Sequence, residues 1–242
     1  MAKLLGRSVE KAVGGEETVG VAFSGGLDSS VVAKCAARHA RVVACTAYVR
    51  GSRDSTGARE AASSLGIQLV ATELDKKGVQ EMLPAIDLPF VPDLMDRSLW
   101  CLYRAASRSA QLSGAKVLLL GQLADELFGG YAKYAEALAR KGEKEAAAMM
   151  GKDVREYAAR GRIRDVAACG DLAEPRFPFE APEVVEFANS LPLSFKIRGG
   201  ERKAVLRRAA QLLGVPRVIA EAPKKAAQYS SGVQKLVGGS HF

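Results

Sequence analysis

The sequence has little of the material that builds metal centres, disulfides and histidine-based catalysis. Its 242 residues include four cysteines and two histidines. No cysteines stand in a C-x-x-C pair, which argues against a zinc or disulfide framework, and two histidines offer little for a His-based triad. Cys35 and Cys45 lie in apolar surroundings, and we expect both to be small core residues.

Long hydrophobic runs are also missing. No apolar stretch approaches the ~20 residues that cross a bilayer. The N-terminal segment MAKLLGRSVEKAV has neither a long apolar region nor a cleavage signal. We therefore expect an amphipathic helix there, no membrane partner and a cytoplasmic protein.

Acidic residues are fewer than basic ones, which gives a formal net charge of +8. This surplus is compatible with nucleic acid, with a polyphosphate substrate, or simply with a basic surface. The densest charged stretch, residues 138–165, mixes both signs, which is typical of solvated helix faces. Nucleic acid is therefore not the expected partner.

Four apolar runs alternate with helical segments. The runs are TVGVAF (18–23), RVVACTAYV (41–49), IQLVATEL (67–74) and AKVLLLG (115–121), and the helical segments are 28–39, 54–65 and 94–113. Strands without polar alternation are typical of a parallel sheet covered on both faces. The pattern predicts an α/β fold with an open parallel sheet.

After about residue 130, alanine and charged residues dominate, and no comparable strand run appears. We expect a helical C-terminal part, interrupted at the proline-rich segment EPRFPFEAPE (174–183). The predicted division is an α/β nucleotide-binding core, 1–136, and a helical part, 137–242, packed as one compact unit.

The segment FSGGLDSS (23–30) follows the first predicted strand. Gly25 and Gly26 allow close backbone approach, and successive N–H groups before a helix form an anion nest, to which Ser24 and Ser29 add hydroxyls. The loop is therefore predicted to hold phosphate. Asp28 would repel phosphate unless a divalent cation lay between them; the alternative is that Asp28 caps the helix.

A second acidic loop, LLLGQLADELFGGYAKY (118–134), follows the fourth predicted strand. Asp125 and Glu126 should reach the same sheet edge as Asp28, because ligands sit beyond the carboxyl ends of parallel strands. Two carboxylate-bearing loops at one phosphate site suggest shared magnesium. The alternative is that these acids only favour a helix dipole.

These segments together resemble a known family. S-G-G-x-D-S resembles the PP-loop of ATP pyrophosphatases, and GQLADELFGGY resembles the G-E-G-A-D-E-L-F-G-G-Y signature of asparagine synthetase synthetase domains. EPRFPF (174–179), KAVLR (203–207) and APKKAAQYSSGV (222–233) resemble that family's E-x-R-x-P-F, K-x-x-L-R and R-P-K-x-x-F segments, in family order. The β-lactam synthetases and carbapenam synthetase share this pattern.

The resemblance implies a PP-loop fold that uses ATP and Mg²⁺, with specific residue roles. The residues expected to bind the ATP phosphates are Ser24, Gly25, Gly26, Asp28 and Ser29. Asp28 and Asp125 would share magnesium, while Val49 and Gly121 would flank adenosine. Glu174 would be an acid or base near the acyl-adenylate, and Lys224 would neutralise developing charge.

Each role outside the phosphate loop has a plainer alternative. Glu174 could cap the following segment, and Lys203 in KAVLR could be a solvated helix residue. Lys225 could be the site lysine in place of Lys224.

The match departs from the family at four places. Ala2 follows Met1, and too few residues precede the first strand for a glutaminase domain, so we expect nitrogen from free ammonia or a separate glutaminase subunit. Gln122 stands where asparagine synthetases have a glutamate implicated in activating ammonia, and β-lactam synthetases a tyrosine. A neutral amide cannot take that proton. Leu123 also replaces a glycine, and Ala222 an arginine.

The resulting hypothesis is an AMP-forming carbon–nitrogen ligase of the asparagine synthetase type. It would activate a carboxylate, aspartate or similar, as acyl-AMP, which ammonia or another amine then attacks. An alternative is a tRNA-modifying PP-loop enzyme. The lack of a C-x-x-C pair and of an added RNA-binding domain argues against it. A non-catalytic nucleotide-binding subunit is another. Monomer and homo-oligomer both remain open.

Overall fold

The sheet at the centre of the fold is parallel throughout and has the strand order β3-β2-β1-β4-β5 in a computed structural model. The structure describes residues 1–52, 54–222 and 231–238. The five strands are β1 (Thr18–Ala22), β2 (Arg41–Tyr48), β3 (Gln68–Glu73), β4 (Val117–Leu119) and β5 (Glu174–Arg176). The open parallel sheet of the predicted α/β fold is confirmed.

Helices surround the sheet. In chain order they are α1 (Ala2–Val13), α2 (Leu27–Ala36), α3 (Asp54–Leu65), α4 (Lys76–Met82), α5 (Leu94–Leu112), α6 (Ala124–Phe128), α7 (Ala132–Lys141), α8 (Glu143–Glu156), α9 (Arg162–Cys169), α10 (Pro182–Ser190), α11 (Leu193–Lys196), α12 (Ala204–Leu213), α13 (Arg217–Ala220) and α14 (Val233–Gly238). A π-helical turn, Tyr157–Gly161, joins α8 to α9, and a short antiparallel pair, β6 (Ile197–Arg198) and β7 (Glu201–Arg202), precedes α12.

Both faces of the sheet are buried, as the apolar strands predicted. On β2, Val42 and Ala44 join the core formed with α1, α2, α3 and α12, whereas Val43 and Cys45 join the core formed with α5 and α9. All four cysteines are buried and free. Burial raises the pKa of Cys35 to about 11 and that of Cys45 to about 12, so both are inert core thiols, as expected.

Helix α1 confirms the predicted amphipathic N-terminal helix. Leu5, Val9 and Val13 recur at one-turn spacing and are buried against the sheet. No helix in residues 1–52, 54–222 and 231–238 is both long and apolar enough to cross a membrane.

The expectation of a purely helical part after about residue 130 is wrong at β5, and the short pair β6 and β7 also lies there. Glu174–Arg176 pairs with Val117–Leu119 as an edge strand, although it was predicted to be a proline-rich interruption. Pro175 has no N–H to donate, which an edge strand tolerates because one of its sides has no partner strand. The rest of the described C-terminal part is mainly helical, and α9 packs on α5 while α12 packs on α2. The division at residue 136 stays a prediction.

Gly20 lets α5 approach the middle of the sheet. A Cβ at this position would lie 2.6 Å from the Ala110 Cβ and 3.1 Å from the Leu118 Cδ1. Two backbones are therefore packed more closely here than any side chain would permit.

We predict that Gly20→Ala lowers the free energy of unfolding by ~1–3 kcal/mol, because the added methyl overpacks the core. Ala110→Gly removes the clashing atom, so Gly20→Ala should cost clearly less in that background. Urea unfolding of the two single variants and the double variant measures this coupling. Equal costs in both backgrounds would contradict the proposed contact.

Candidate active site

The glycine loop after β1 has the conformation that its sequence predicted. Gly25 has φ +73°, and a Cβ there would lie 2.9 Å from the Gly57 carbonyl oxygen and 3.0 Å from the Ala58 Cα, so both its dihedral and its surroundings require glycine. Gly26 is the N-cap of α2 and gives it no side-chain cap. The first-turn N–H groups of α2 therefore remain available to an anion.

Two serine hydroxyls occupy the loop loosely. Ser24 Oγ lies 3.3 Å from Ser29 Oγ and accepts a hydrogen bond from the Gly26 N–H at 3.3 Å. The Ser24 N–H donates to Ser29 Oγ at the same length. These contacts are longer than strong N–H···O bonds, which lie at ~2.7–3.2 Å, so a phosphate oxygen could replace them at small cost.

Asp28 lies in the first turn of α2 and does not cap it, so the capping interpretation is wrong. Both its carboxylate oxygens accept hydrogen bonds from Lys203 Nζ at 2.6 Å. Asp125, in the first turn of α6, places its Oδ1 2.7 Å from the same Nζ. The structure therefore brings the two predicted carboxylates to one point, and Glu126 beside them accepts a hydrogen bond from the Tyr131 hydroxyl at 2.7 Å.

Lys203 pairs with both of these carboxylates. From the sequence, it is predicted only to belong to the KAVLR motif, with no role of its own. Its side chain is only 3% exposed, so the interpretation as a solvated helix residue is wrong. Burial alone would lower the pKa of Lys203, but Asp125 and Asp28 outweigh it and raise the pKa, so the side chain stays an ammonium. The motif match to K-x-x-L-R was the one signal that could have found it.

Backbone strain is concentrated at this site. In the described part of the chain, only Leu123 and Lys203 among non-glycine residues have a positive φ, of 70° and 59°. Such conformations cost ~1–2 kcal/mol each and persist only where the surroundings enforce them. Leu123 takes the left-handed conformation that glycine would adopt freely, and its buried side chain joins the core. The departure from the family's glycine is thus accommodated by burial.

Two glycines make room for the charged groups. A Cβ at Gly130 would lie 1.8 Å from Asp125 Oδ1 and 2.3 Å from Lys203 Cε. A Cβ at Gly121 would lie 3.2 Å from the backbone of Asp28 and of Ser29, so the end of β4 rests directly on the start of α2.

A cavity of about 880 Å³ opens beside these loops. The predicted site residues that line it are Ser24, Gly25, Gly26, Asp28, Ser29, Gly121, Gln122 and Asp125. Lys203 and Arg207 also line it, and the opposite wall comes from α5 and the π-helical turn. Its size is that of a small-molecule or cofactor site.

Two predicted residues do not line this cavity. Glu174 begins β5 and therefore lies at the amino ends of the strands. Asp28 lies at the opposite edge of the sheet, beyond the carboxyl ends. Its side chain is 62% exposed and accepts two hydrogen bonds from Arg176, which lower the pKa of Glu174. Glu174 therefore does not lie where an acid or base near the acyl-adenylate was expected, and it does not cap the following segment. Val49 donates its backbone N–H to the Ser231 carbonyl at 2.8 Å and packs on Gly232.

Lys224 and Lys225 lie outside the described residues. Their proposed roles stay predictions.

A buried charged network beyond Gln122 was not predicted. Gln122 Nε2 donates to Asp165 Oδ2 at 2.7 Å, Arg164 pairs with Asp165 and Asp96, and Arg160 pairs with Asp96. Residues 138–165 were interpreted as solvated helix faces, which is wrong for the last two of them. Burial raises the pKa of Asp165, while Arg164 and Gln122 oppose that rise. Mixed charge in a sequence does not reveal which ions are buried.

Comparison with known proteins identifies the family. The model of the family described as asparagine synthase matches residues 1–173 and 160–240. The chain belongs to the asparagine synthase family.

Relatives of this chain in the asparagine synthase family are longer proteins. "Putative asparagine synthetase (glutamine-hydrolyzing) 1" of Methanocaldococcus jannaschii is 33% identical over 272 aligned residues, which cover 97% of this chain and 50% of that protein. Asparagine synthetase domain-containing protein 1 of Mus musculus is 38% identical over 146 residues, covering 57% of this chain and 22% of that protein. The chain thus spans half or less of the length of these relatives.

A solved structure titled NMN synthetase from Francisella tularensis aligns with the whole chain and with 86% of its own chain, at 13% identity and a TM-score of 0.49.

The contacts of Gly130 predict a specific sensitivity. Gly130→Ala should lower the free energy of unfolding by ~1–3 kcal/mol, because the methyl group must displace Asp125 or Lys203. Gly6→Ala, in α1 with no atom within 4 Å of the added Cβ, is the control and should be neutral or stabilising. Chemical unfolding of both variants checks this. A loss in Gly130→Ala no larger than in Gly6→Ala would contradict the packing described.

The charge of Lys203 can be tested separately from its shape. Lys203→Met keeps the side-chain length and the strained backbone but leaves two close carboxylates without their cation. We expect it to cost ~3 kcal/mol of unfolding free energy, at the lower end for broken buried pairs because both acids keep some solvent contact. Lys152→Met, on the exposed face of α8, should change stability by less than ~0.5 kcal/mol. Similar losses in both would refute the central role of the ammonium.

Proposed function

We propose that the chain is an ATP-dependent, AMP-forming carbon–nitrogen ligase that activates a carboxylate and transfers it to an amine. The observation that carries the proposal is the convergence of Asp28 and Asp125 on one ammonium, beside a glycine loop that opens into a large cavity. Membership of the asparagine synthase family supports the same reaction class. The glycine loop would bind the ATP phosphates through its N–H groups and the serine hydroxyls.

Asp28 and Asp125 are suited to hold Mg²⁺ together with ATP. Mg²⁺ is usually bound by one or two carboxylates and by substrate phosphates rather than by a protein cage. In keeping with this, the described residues contain no group of three or more His, Cys, Asp or Glu that could hold a metal. When bound, the ion would neutralise charge on the departing pyrophosphate.

Lys203 would supply a fixed positive charge at the same place. Its ammonium is buried and already within 2.7 Å of both acids, so it holds them close together before the nucleotide arrives. Preorganised charge of this kind stabilises a transition state without reorganisation at the moment of reaction. This role resembles the one first expected of Lys224, which stays a second candidate.

The proposed substrates are aspartate or a similar carboxylate and ammonia or another amine. The acid would attack the α-phosphorus to give acyl-AMP and pyrophosphate, and the amine would then displace AMP. Catalysis would depend mainly on orientation and charge neutralisation. Because relatives named as glutamine-hydrolysing are about twice as long, ammonia could come from a glutaminase domain or a separate glutaminase subunit.

The products of ATP cleavage test the reaction class. We expect AMP and pyrophosphate in equal amounts on incubation with Mg²⁺–ATP, aspartate and ammonium, measured by chromatography. Recovery of ADP and phosphate instead would refute the proposal.

The carboxylates can be tested in the same assay. Asp28→Asn and Asp125→Asn should each lower turnover by at least ~100-fold, since a catalytic metal supplies several kcal/mol. Asp171→Asn, at a side chain 89% exposed, is the matched control and should retain turnover. Near-normal rates in either site variant would contradict the shared-metal assignment.

A further inference from the structure

A second cavity is formed by α6, α8, the end of α10 and α11. Its volume is about 190 Å³, against about 880 Å³ for the cavity beside the glycine loop. Within residues 1–52, 54–222 and 231–238, only Glu126 lines both cavities. The second cavity is therefore a separate site, to which the proposed function gives no role.

A lysine in the wall of this cavity has no partner for its charge. Lys196 ends α11, lines the cavity and is only 8% exposed. The buried Asp, Glu, Lys and Arg residues in the described part of the chain are Asp96, Glu126, Arg164, Asp165, Lys196 and Lys203. Five of these side chains form hydrogen bonds or ion pairs, whereas that of Lys196 has neither with any described residue.

The missing partner of Lys196 affects its ionisation. Burial lowers the pKa of Lys196 because removal from water disfavours an ammonium, and no acid opposes this effect. At Lys203, by contrast, two acids outweigh burial and raise the pKa. Buried cations in proteins are ordinarily paired, so the surroundings of Lys196 lack an anion that a ligand could supply.

Two acids line the same cavity but do not provide this anion. Glu126 accepts a hydrogen bond from the Tyr131 hydroxyl, and Glu143 Oε1 accepts one from the Leu193 backbone N–H at 3.0 Å. Neither acid forms an ion pair with Lys196. The cavity thus presents one cation and two acids at separate points of its wall.

These charges indicate the class of ligand. The Lys196 ammonium requires an anionic group, but the described lining has neither an arginine nor a second lysine to bind the several charges of a phosphate. A simple anion would also add to the negative surplus of two acids against one cation, whereas a zwitterion leaves the net charge unchanged. A ligand with one carboxylate and one ammonium therefore fits this wall best.

The remaining wall is largely apolar. Leu127 on α6, Met150 on α8 and Leu193 on α11 are buried residues that line the cavity. An apolar group that covers them gains free energy by leaving water. The volume is below the ~300–1,000 Å³ of sites for drug-sized ligands, so the occupant must be small.

We propose that this cavity binds a free aliphatic α-amino acid. Its carboxylate accepts hydrogen bonds from Lys196 Nζ, its ammonium donates to Glu143, and its side chain packs on the three apolar residues. Binding requires neither ATP nor turnover, so the inference does not depend on the proposed function.

Two methionines report which cavity a ligand enters. Met95 lines the first cavity and Met150 lines the second. In the intact chain labelled with methyl-¹³C methionine, their signals can be assigned by Met95→Leu and Met150→Leu. We expect L-leucine to shift the Met150 signal saturably and to leave the Met95 signal in place. No saturable shift at Met150 up to ~10 mM, or a shift at Met95 alone, would overturn the inference.

The charge of Lys196 is tested with a variant of equal length. Lys196→Met should fold, because an apolar side chain replaces an unpaired buried charge. The Kd for L-leucine, measured from the Met150 signal, should rise at least ~tenfold through loss of a charge-assisted hydrogen bond. Lys152→Met, on the exposed face of α8, is the matched control and should keep the Kd within ~twofold. Unchanged affinity in Lys196→Met would contradict the proposed contact.

The two charges of the ligand can be tested one at a time. 4-Methylpentanoate lacks the ammonium of leucine and 3-methylbutylamine lacks its carboxylate, so each should bind at least ~tenfold more weakly than L-leucine. Glu143→Gln keeps an oxygen for the Leu193 N–H but removes the negative charge, and should also weaken L-leucine binding. Equal affinity for 4-methylpentanoate and L-leucine would show a simple carboxylate site and refute the assignment to an amino acid.

Discussion

The site depends on the ion pairs that the Lys203 ammonium makes with Asp28 and Asp125. Three separate elements meet there: the first turn of α2, the first turn of α6 and the residue before α12. Two acids this close would repel each other without a cation, and a buried lysine would lose its proton without acids. Each charge is therefore stabilised by the other two. The surrounding glycines, which have no side chains, leave room for these groups to approach one another.

Much of the fold follows from sequence pattern because its strands are buried on both faces. Continuous apolar runs such as RVVACTAYV can be identified as strands without knowing which strands lie beside them. The glycines and serines of the loop after β1 can likewise be interpreted from the local sequence alone. Edge strand β5 lacks both signals: it is three residues long and contains Pro175. Only the register with β4 makes it a strand, and register is a tertiary property.

The site was predictable where function depends on local geometry and not where it depends on burial. The loop residues Asp28 and Asp125 could be placed from their positions after strands. Lys203 and Asp165 could not, because charged residues on predicted helices are ordinarily solvated. Glu174 shows the converse error. A motif match suggested a site residue, but a parallel strand presents only its carboxyl end to the ligand edge, and Glu174 stands at the other end.

The pairing of Lys203 with Asp28 also has a consequence for how the protein is made. The two residues are 175 positions apart, so the contact closes a loop that contains most of the chain. Local helices and the first strands can form without it, but the charged centre cannot assemble until α12 has been synthesised and docked. A nascent or truncated chain that lacks α12 thus carries Asp28 and Asp125 without their cation. The charge balance of the proposed phosphate site is therefore reached only in the completed fold.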